Sequence, residues 1–545
     1  MKEKPLRHRS PLLWIALPMT GGLVAGRMGY SPPVSVSLGC AILCVAAAVT
    51  AAWGAERRWA PAFACALAFA GLASYRIHRN RIQIWETFPA REIQMLVRCQ
   101  RIFPSRDPER LAALASVVHA DRHVSELAGQ AVYITLGCDR RAPRPIRGSR
   151  LRVRGVLDKV PAAAKPYSFE GYLSDVGVNF RVSRGDVLGE EGVPGRYRRF
   201  CARAESRFYA ILGLGIERRR PDLAAVLRAM MLGQTGEMSA SQNLLFLQSG
   251  TLHLFAISGL HIVAIALAIH GILASLRIPH VLRFFLGSLA LWLYVDITGA
   301  APSAVRALLM VGFVELALLI RRGINPLATL TTAWVIVLAV APLQFFTASF
   351  QMSYGIVAAL LLVGVPLFEA WKSAWRPFEG IPEAGRSSPR RFAAWLGGHL
   401  LSSAALGASA SLVGLVAGIA FFRLFTPGSM LINVVMIPVS TLVIYSGFAS
   451  LLLGLLGLET FAAVFNHSGA LVLLAMEEGI RQALRLPGMF FPGQFRWEGL
   501  GGASLAALLV LSLACYAWPG RNRPLRWVPP FALCALLLAF AVRYG

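Results

Sequence analysis

The chain carries little charge and hardly any lysine. Charged residues make up only 15% of its 545 residues, whereas soluble domains contain about 25%. Hydrophobic residues make up 56%, and the mean hydropathy is +0.57. This composition excludes a soluble enzyme of this size and indicates a protein with many membrane spans.

Sequence patterns of common catalytic machinery are also missing. The chain has no GxxxxGK[ST] loop, which excludes ATP hydrolysis by that route, and no HExxH zinc motif. Its eight cysteines include no CxxC pair. A disulfide between Cys99 and Cys138 is left open for the case that their region is extracytoplasmic. We expect no metal, no cofactor and no catalytic residue.

Long apolar runs fill both ends of the chain. They lie near 11–29, 34–54, 59–75, 252–276, 281–298, 302–320, 325–342, 344–368, 395–422, 429–457, 500–518 and 525–542. Each is close to the length that crosses a hydrocarbon core about 30 Å thick. Segment 459–486 carries charged residues, and either lies in the interface or spans. We predict a polytopic α-helical membrane protein with about 12–13 spans, beginning with an uncleaved three-span anchor over 1–75.

Positive charge is concentrated between the two apolar regions. The net charge is +26, and residues 76–220 contribute +13 of it. Such an excess attracts nucleic acid or anionic lipid, and composition does not distinguish them. The basic segments 2–9, 277–283, 321–322 and 372–391 fall on one side of the membrane. The positive-inside rule makes that side cytoplasmic and places 76–220 outside.

Alternating apolar and polar residues mark the polar region. Segments 130–136, 150–156 and 178–182 alternate with period two between glycines and prolines, which predicts short, half-buried strands. We predict a small β-barrel there, with flanking helices at about 105–127 and 196–215.

Two histidines and a serine interrupt the apolar run that begins near 252. Ser258 and His261 are three residues apart and share a helical face, with His253 about 80° round the helix. Intramembrane polar groups line a cavity or hold helices together, and the spacing allows both. A serine nucleophile is weakly indicated, since no acidic residue follows to orient His261.

A second polar segment follows at 294–310. Thr298 and Gly299 predict a turn, and Ser303 and Arg306 share a face of the next helix. Arg306 either snorkels to the interface, pairs with Asp296 or presents its charge to a phosphate. Further along, Gln351, Ser353 and Asn433 are polar residues in spans, as interhelical hydrogen bonds require. Glu315 lies on the opposite face from Arg306, so the two do not pair.

Seven arginines crowd the segment 140–154, and they are Arg140, Arg141, Arg144, Arg147, Arg150, Arg152 and Arg154. Guanidinium groups are strong phosphate donors. Nearby aromatic residues either stack bases or fill the barrel core, and they are Tyr133, Tyr167, Phe169, Tyr172 and Phe180. The whole chain contains 49 arginines and only five lysines, so part of this arginine density reflects a general preference for arginine over lysine.

Together these segments resemble the ComEC family of DNA-internalisation competence proteins. The resemblance rests on segments 249–253, 256–262, 297–303, 306–310 and 349–354, and on Asn433 with Pro438. The sequence Ile-Ser-Gly-Leu-His at 257–261 is its most specific part. Upstream, 166–173 looks like the end of the family's N-terminal OB-like domain. The resemblance extends from about 15 to 520.

The resemblance implies a multi-pass inner or plasma membrane protein that forms a channel for single-stranded DNA during natural transformation. Residues 76–220 would be an extracytoplasmic OB-like domain and 221–545 the channel domain. By motif, the pore and DNA path would contain His253, Ser258, Gly259, His261, Thr298, Gly299, Ser303, Arg306, Gln351, Ser353 and Asn433. The seven arginines of 140–154 would form a DNA-gathering patch.

The implied partners are single-stranded DNA, the lipid bilayer, and DNA-receptor and ATP-driven competence proteins, while a homo-oligomer is left open. Many members carry a further metallo-β-lactamase-like domain that this sequence lacks, so we expect no nuclease and no enzyme. Two alternatives remain. One is an intramembrane enzyme that uses Ser258 and His261, and the other is a transporter of small solutes or lipid-linked molecules.

Overall fold

The computed structural model describes the chain in segments that leave short gaps. They are residues 10–30, 32–53, 59–79, 90–103, 107, 109–138, 144–161, 168–192, 194–375, 377, 387–497, 499–518 and 524–544. Packing divides the chain into two compact units. Unit 1 comprises 1–206 and 323–347, and unit 2 comprises 207–322 and 348–545. The domain boundaries expected after 75 and 220 stay a prediction.

Unit 1 opens with three apolar helices, α1 (Leu13–Arg27), α2 (Val34–Trp53) and α3 (Trp59–Arg79). Helices α1 and α3 pack closely because both carry glycine at the contact. A Cβ on Gly22 would lie 1.8 Å from the carbonyl oxygen of Ala68, and one on Gly71 would lie 2.1 Å from that of Met19. Small residues at such contacts let backbones approach where no hydrophobic effect drives association.

A closed, OB-like barrel follows α3. Over the described residues its strands are β1 (Arg91–Phe103), β2 (Arg110–Ala120), β3 (Ala131–Gly137), β4 (Arg150–Lys159) and β5 (Phe180–Glu190). Their order is β1-β2-β3-β5-β4. Strands β3 and β5 run parallel and the other neighbours antiparallel. Alternate residues point inward, and Val97, Ala115, Ile134 and Val153 are fully buried. The predicted barrel is confirmed.

Two expectations for the barrel were wrong in detail. Segment 105–127, expected as a helix, contains strand β2, whose Ala113, Ala115 and Val117 point into the core. Cross-strand packing overrides the helix preference of alanine here. The segment 166–173 does not end the domain, because helix α4 (Phe169–Asp175) lies between β4 and β5. The helix expected at 196–215 is confirmed as α5 (Arg196–Gly213).

One arginine joins three parts of unit 1. Arg27, the last residue of α1, donates from Nη1 to Asp175 Oδ1 at 2.7 Å. Its Cζ lies 4.5 Å from the centre of the Phe346 ring. Phe346 belongs to a short 3-10 turn that follows helix α11 (Pro326–Val340), which lies in the same unit. The barrel, the first helix and the 342–346 turn therefore meet at Arg27.

Unit 2 is built from apolar helices. They are α6 (Pro221–Leu232), α7 (Ala240–Gln248), α8 (Gly259–Ser275), α9 (His280–Ile297), α10 (Pro302–Leu319), α12 (Ala348–Ala359), α13 (Val365–Ala374), α14 (Ser388–Phe422), α15 (Ser429–Leu455), α16 (Glu459–Ala483), α17 (Leu500–Ala517) and α18 (Val528–Leu536). A π-helical stretch at Leu360–Gly364 joins α12 to α13. A small sheet pairs β6 (Leu424–Phe425), β7 (Phe491–Phe495) and β8 (Val542–Tyr544).

Within the described ranges, nine helices are long and apolar enough to cross a membrane. Three shorter apolar helices accompany them, at Val34–Thr50, Pro326–Val340 and Val528–Ala541. The helix Glu459–Ala483 is one of the nine, so length and hydropathy favour the spanning alternative for that segment. The predicted class, a polytopic helical membrane protein with a small barrel, is confirmed, and the count of 12–13 spans stays a prediction.

Candidate functional site

Ser258 and His261 meet at the start of α8. Ser258 caps the helix, and its Oγ lies 2.9 Å from His261 Nδ1. The backbone N–H of Ser258 also donates to Nδ1, at 3.3 Å. Because a backbone N–H only donates, Nδ1 is the acceptor, and neutral His261 carries its proton on Nε2. His261 is 0% exposed, and its Nε2 has no hydrogen-bond partner in the described part of the chain.

This geometry differs from that of a serine hydrolase. In a catalytic triad one imidazole nitrogen receives the serine proton while the other donates to a carboxylate. Here Nδ1 faces Ser258, and among the described residues no carboxylate contacts Nε2 of His261. The arrangement caps a helix and leaves one buried N–H donor available, so it gives no support to an intramembrane Ser/His enzyme.

The turn between α9 and α10 holds the neighbouring motif in place. Thr298 ends α9 and donates from Oγ1 to the carbonyl oxygen of Tyr294 at 3.0 Å. Gly299 has φ of 88°, a left-handed conformation that favours glycine. Ser303 Oγ then donates to the carbonyl oxygen of Ile257 at 2.9 Å. The predicted turn is confirmed, and it fixes the start of α10 beside the residue that precedes Ser258.

Arg306 is 2% exposed, inside α10. Its Nη2 donates to the carbonyl oxygen and to Oγ of Ser349, at 2.7 and 3.0 Å. Nε and Nη1 have no hydrogen-bond partner within the described ranges. The expected alternatives of an ion pair with Asp296 and of snorkelling are wrong, because both donations go to Ser349 and the side chain is buried. A buried cation with unused donors remains.

Two aromatic rings border this cation. Arg306 Cζ lies 5.9 Å from the centre of the Phe350 ring and 5.8 Å from that of Tyr354. The rings themselves stack with centroids 4.3 Å apart. Ring faces within about 6 Å attract a guanidinium without neutralising its charge. The sequence pattern pointed to the polar Gln351 and Ser353 of this segment and not to Phe350 and Tyr354, although both stand in the same motif.

The remaining predicted residues lie at the edges of this site. A Cβ on Gly259 would lie 3.9 Å from the Cβ of Ala307, so the start of α8 faces α10. His253 is exposed, and its Nδ1 lies 3.1 Å from the carbonyl oxygen of Gly250. Asn433, on α15, has a buried Oδ1 without a hydrogen-bond partner among the described residues. Hydrogen bonds and close packing join the starts of α8, α10 and α12, whereas no hydrogen bond between described residues joins Asn433 or His253 to Arg306.

The basic segment of the barrel is partly neutralised. Arg150, Arg152 and Arg154 are exposed along β4. Arg152 forms an ion pair with Glu191, and Arg154 Nε lies 2.5 Å from Glu92 Oε1. Arg144 is exposed and Arg147 half-buried, while Arg140 and Arg141 lie outside the described residues. The patch therefore presents less free charge than its sequence indicates.

The barrel aromatics divide between core and surface. Phe180 is 1% exposed and belongs to the core, so it does not stack bases. Phe169 is exposed and Tyr133 is half-buried, with ring centroids 5.0 Å apart, and the ring centroid of the half-buried Tyr172 is 6.2 Å from that of Phe169. Phe169 is 52% exposed. Tyr167 lies outside the described residues.

Electrostatics in the barrel follow from its ion pairs and its core. A hydrogen bond from Arg181, whose Nη2 lies 2.7 Å from Asp158 Oδ2, holds the pKa of Asp158 below its ordinary value. Burial raises the pKa of the Cys99 thiol to about 12. Over the described cysteines no disulfide forms, so the pairing of Cys99 with Cys138 that the sequence left open is absent here.

Comparison with known proteins adds a family relationship. A family model described as "Competence protein" matches residues 230–521. The chain is also similar to "ComE operon protein 3" of Bacillus subtilis (strain 168), with 30% identity over 142 residues. That stretch is 26% of this chain and 18% of the relative, so the match spans less than a fifth of the relative's length. No solved structure gives a significant match.

Proposed function

The chain belongs to the competence protein family, and on that premise we propose that unit 2 forms a membrane channel for single-stranded DNA, used for uptake into the cytoplasm during natural transformation. The observation that carries the proposal is Arg306, a buried cation with two nitrogen atoms unused by the described residues. An unpaired buried charge is costly unless a ligand completes it. A phosphate oxygen is the natural partner of a guanidinium.

Unused donors on the joined starts of α8 and α10 suit an anion. His261 offers a buried Nε2–H, and Ser349 holds the guanidinium by one nitrogen only. Both unused groups are donors, and neither contacts a described carboxylate. Asn433 offers an acceptor oxygen instead. The amino groups of bases donate to such an oxygen, whereas phosphate oxygens are themselves acceptors and do not. Conduction requires sites that bind each phosphate loosely enough to release it, and one arginine with one neutral histidine meets that requirement.

We further propose that His253, Ser258, Gly259, Thr298, Gly299, Ser303, Gln351 and Ser353 line or shape the path, as the family motifs imply. Three of them cap or join helices: Ser258 caps α8, and Thr298 and Ser303 donate to backbone carbonyl oxygens. Their role is to hold the entrance of α8, α10 and α12 in one geometry.

The proposed role of the barrel is to gather DNA by electrostatic attraction. The positive-inside rule favours an extracytoplasmic position for it, and its Arg144 and Arg150 are exposed. Phosphates would also compete with Glu191 and Glu92 for Arg152 and Arg154, which makes binding salt-dependent. DNA-receptor and ATP-driven competence proteins would deliver and pull the strand, since the sequence has no phosphate loop of its own.

The test is DNA uptake by cells whose only copy is a variant. Arg306→Gln is expected to abolish uptake of labelled DNA and to lower transformation frequency at least about 100-fold. The reason is that it removes one buried charged contact, worth about 3 kcal/mol. Arg485→Gln removes an exposed arginine of the same unit, bonded to Gln482, and is the matched control. Normal transformation by Arg306→Gln at unchanged membrane levels would refute the proposal.

A further inference from the structure

A second polar cluster joins three helices of unit 2. His270 Nε2, on α8, lies 2.6 Å from Glu315 Oε1, on α10. Ser288 Oγ, on α9, donates to Glu315 Oε2 at 2.7 Å. The side chains of His270 and Glu315 are 25% and 11% exposed. Each carboxylate oxygen thus has its own hydrogen-bond contact, from a different helix.

Gly287 provides the space for the imidazole. A Cβ at this position would lie 2.6 Å from both Cε1 and Nε2 of His270. Glycine inside a helix costs about 1 kcal/mol relative to alanine, and α9 carries it where the ring approaches. The sequence at 287 is therefore matched to the histidine at 270.

The cluster lies on three helices that are long and apolar enough to cross a membrane, and it is nearer the C-terminal ends of α8 and α10 than Arg306 and His261 are. At a rise of about 1.5 Å per residue, His270 is about 8 Å from the end of α8 and Glu315 about 6 Å from the end of α10. These ends adjoin Arg277 and Arg321, which orientation places on the cytoplasmic side. Arg306 and Glu315 are nine residues apart, or about 14 Å along α10.

A histidine and a glutamate in this setting hold one exchangeable proton. With that proton the pair is neutral, either as imidazolium with carboxylate or as imidazole with carboxylic acid. Without it the net charge is −1, and a second proton gives +1; desolvation disfavours both. An arginine partner would keep its proton permanently, whereas histidine exchanges near neutral pH.

Other titratable or charged groups lie on the helices packed against the pair, and no described hydrogen bond or ion pair joins any of them to it. Arg283 lies one turn from Gly287 on α9 and donates to the carbonyl oxygen of Ile278. The others are His261 on α8, His280, Tyr294 and Asp296 on α9, Arg306 on α10, Tyr354 on α12 and Tyr445 on α15.

We propose that His270 and Glu315 form an intramembrane proton-binding site, which exchanges one proton with the cytoplasmic side and whose occupancy sets the packing of α8, α9 and α10. Uptake moves one proton from water to the pair and changes its charge from −1 to 0. The site goes beyond the proposed channel, because it binds its own ligand whether or not DNA is present. Intramembrane ionisable pairs commonly serve as proton relays.

The test is infrared difference spectroscopy of the full chain in phospholipid vesicles, recorded as the pH is changed without DNA. The wild type is expected to show carboxyl and imidazole bands that titrate together, and both Glu315→Gln and His270→Gln are expected to lose them. Glu369→Gln, which removes an exposed carboxylate on α13, is expected to keep them. Bands that persist in either cluster variant would overturn the proposal.

A second pair of variants addresses folding. Glu315→Gln keeps the size of the side chain and one acceptor oxygen but removes the carboxyl group, so a loss of the bands in a normally folded variant identifies Glu315 as the proton-binding carboxyl. Gly287→Ala is expected to displace His270, so that the carboxyl and imidazole bands no longer change together. Gly312→Ala, on α10 with open space around its Cβ, is the control. Bands in Gly287→Ala that still change together, as in the wild type, would count against the site.

Because the titration is recorded without DNA, its failure would leave the channel proposal standing. Conversely, a failure of the DNA-uptake test would leave the proton-binding proposal standing.

Discussion

Ser303 Oγ donates a hydrogen bond of 2.9 Å to the carbonyl oxygen of Ile257. The bond links the first turn of α10 to the residue before the cap of α8. Arg306 follows Ser303, and His261 follows Ile257, by about one helical turn. The bond therefore fixes the positions of Arg306 and His261 relative to each other.

Ser303→Ala is expected to loosen that relation. It removes one hydrogen bond, worth about 1 kcal/mol, and leaves the Ile257 carbonyl without its side-chain donor. We expect DNA uptake to fall several-fold and the unfolding temperature in detergent to drop slightly. Ser303→Thr keeps the hydroxyl and is the control; equal losses in both variants would mean that the hydrogen bond is not their cause.

Ser258→Ala separates a channel from an enzyme. The change removes a helix cap, which costs about 1 kcal/mol of stability, and leaves the Arg306 site in place. We expect transformation to continue at a reduced level, measured as colonies per amount of added DNA. Complete loss at normal protein levels would favour a serine-dependent reaction.

The ion pair between Arg228 and Glu217 predicts acid sensitivity. Arg228 is buried, its Nη2 lies 2.6 Å from Glu217 Oε2, and this hydrogen bond holds the pKa of Glu217 below its ordinary value. A carboxyl with a lowered pKa in the folded state stabilises the fold above its unfolded pKa. That contribution is lost as the pH falls through the folded pKa.

Glu217→Gln should therefore flatten the fall in unfolding temperature below about pH 4.5, near the ordinary pKa of glutamate. The cost at neutral pH should be about 1 kcal/mol, because Glu217 is half exposed and solvent screens the pair. Glu459→Gln removes the exposed partner of Arg207 and should leave the profile unchanged. A parallel acid profile in wild type and Glu217→Gln would contradict the assignment.

Salt dependence tests the barrel patch. DNA binding by the full chain should weaken as salt rises, with a log–log slope of about −0.7 for each single-strand phosphate contact. Removing Arg144 or Arg150 should reduce that slope by about 0.7 each. Arg152→Gln and Arg154→Gln should change it less, because Glu191 and Glu92 already pair with those arginines. Equal changes at all four positions would mean that the ion pairs do not persist in solution.

The sequence predicted the helical membrane class and the barrel because both depend on local patterns. Apolar length identified the spans, and period-two alternation identified β3, β4 and β5. Strand β2 was missed because its alanines favour a helix locally, and only the barrel core makes them a strand.

For the site, spacing along one helix predicted that Ser258 faces His261 and that Glu315 does not pair with Arg306. Spacing does not identify partners on other helices, so Ser349 for Arg306 and His270 for Glu315 required the three-dimensional packing.

The contact of Arg27 with Asp175 and Phe346 has a mechanical consequence for unit 1. A domain that is joined to a membrane helix only by a flexible connection has no fixed orientation relative to that helix. Here a charge at the end of α1 is bound to α4 of the barrel and covers an aromatic ring of the 342–346 turn. The barrel is therefore held to α1, and through the same arginine to the 342–346 turn, so its orientation within unit 1 is fixed.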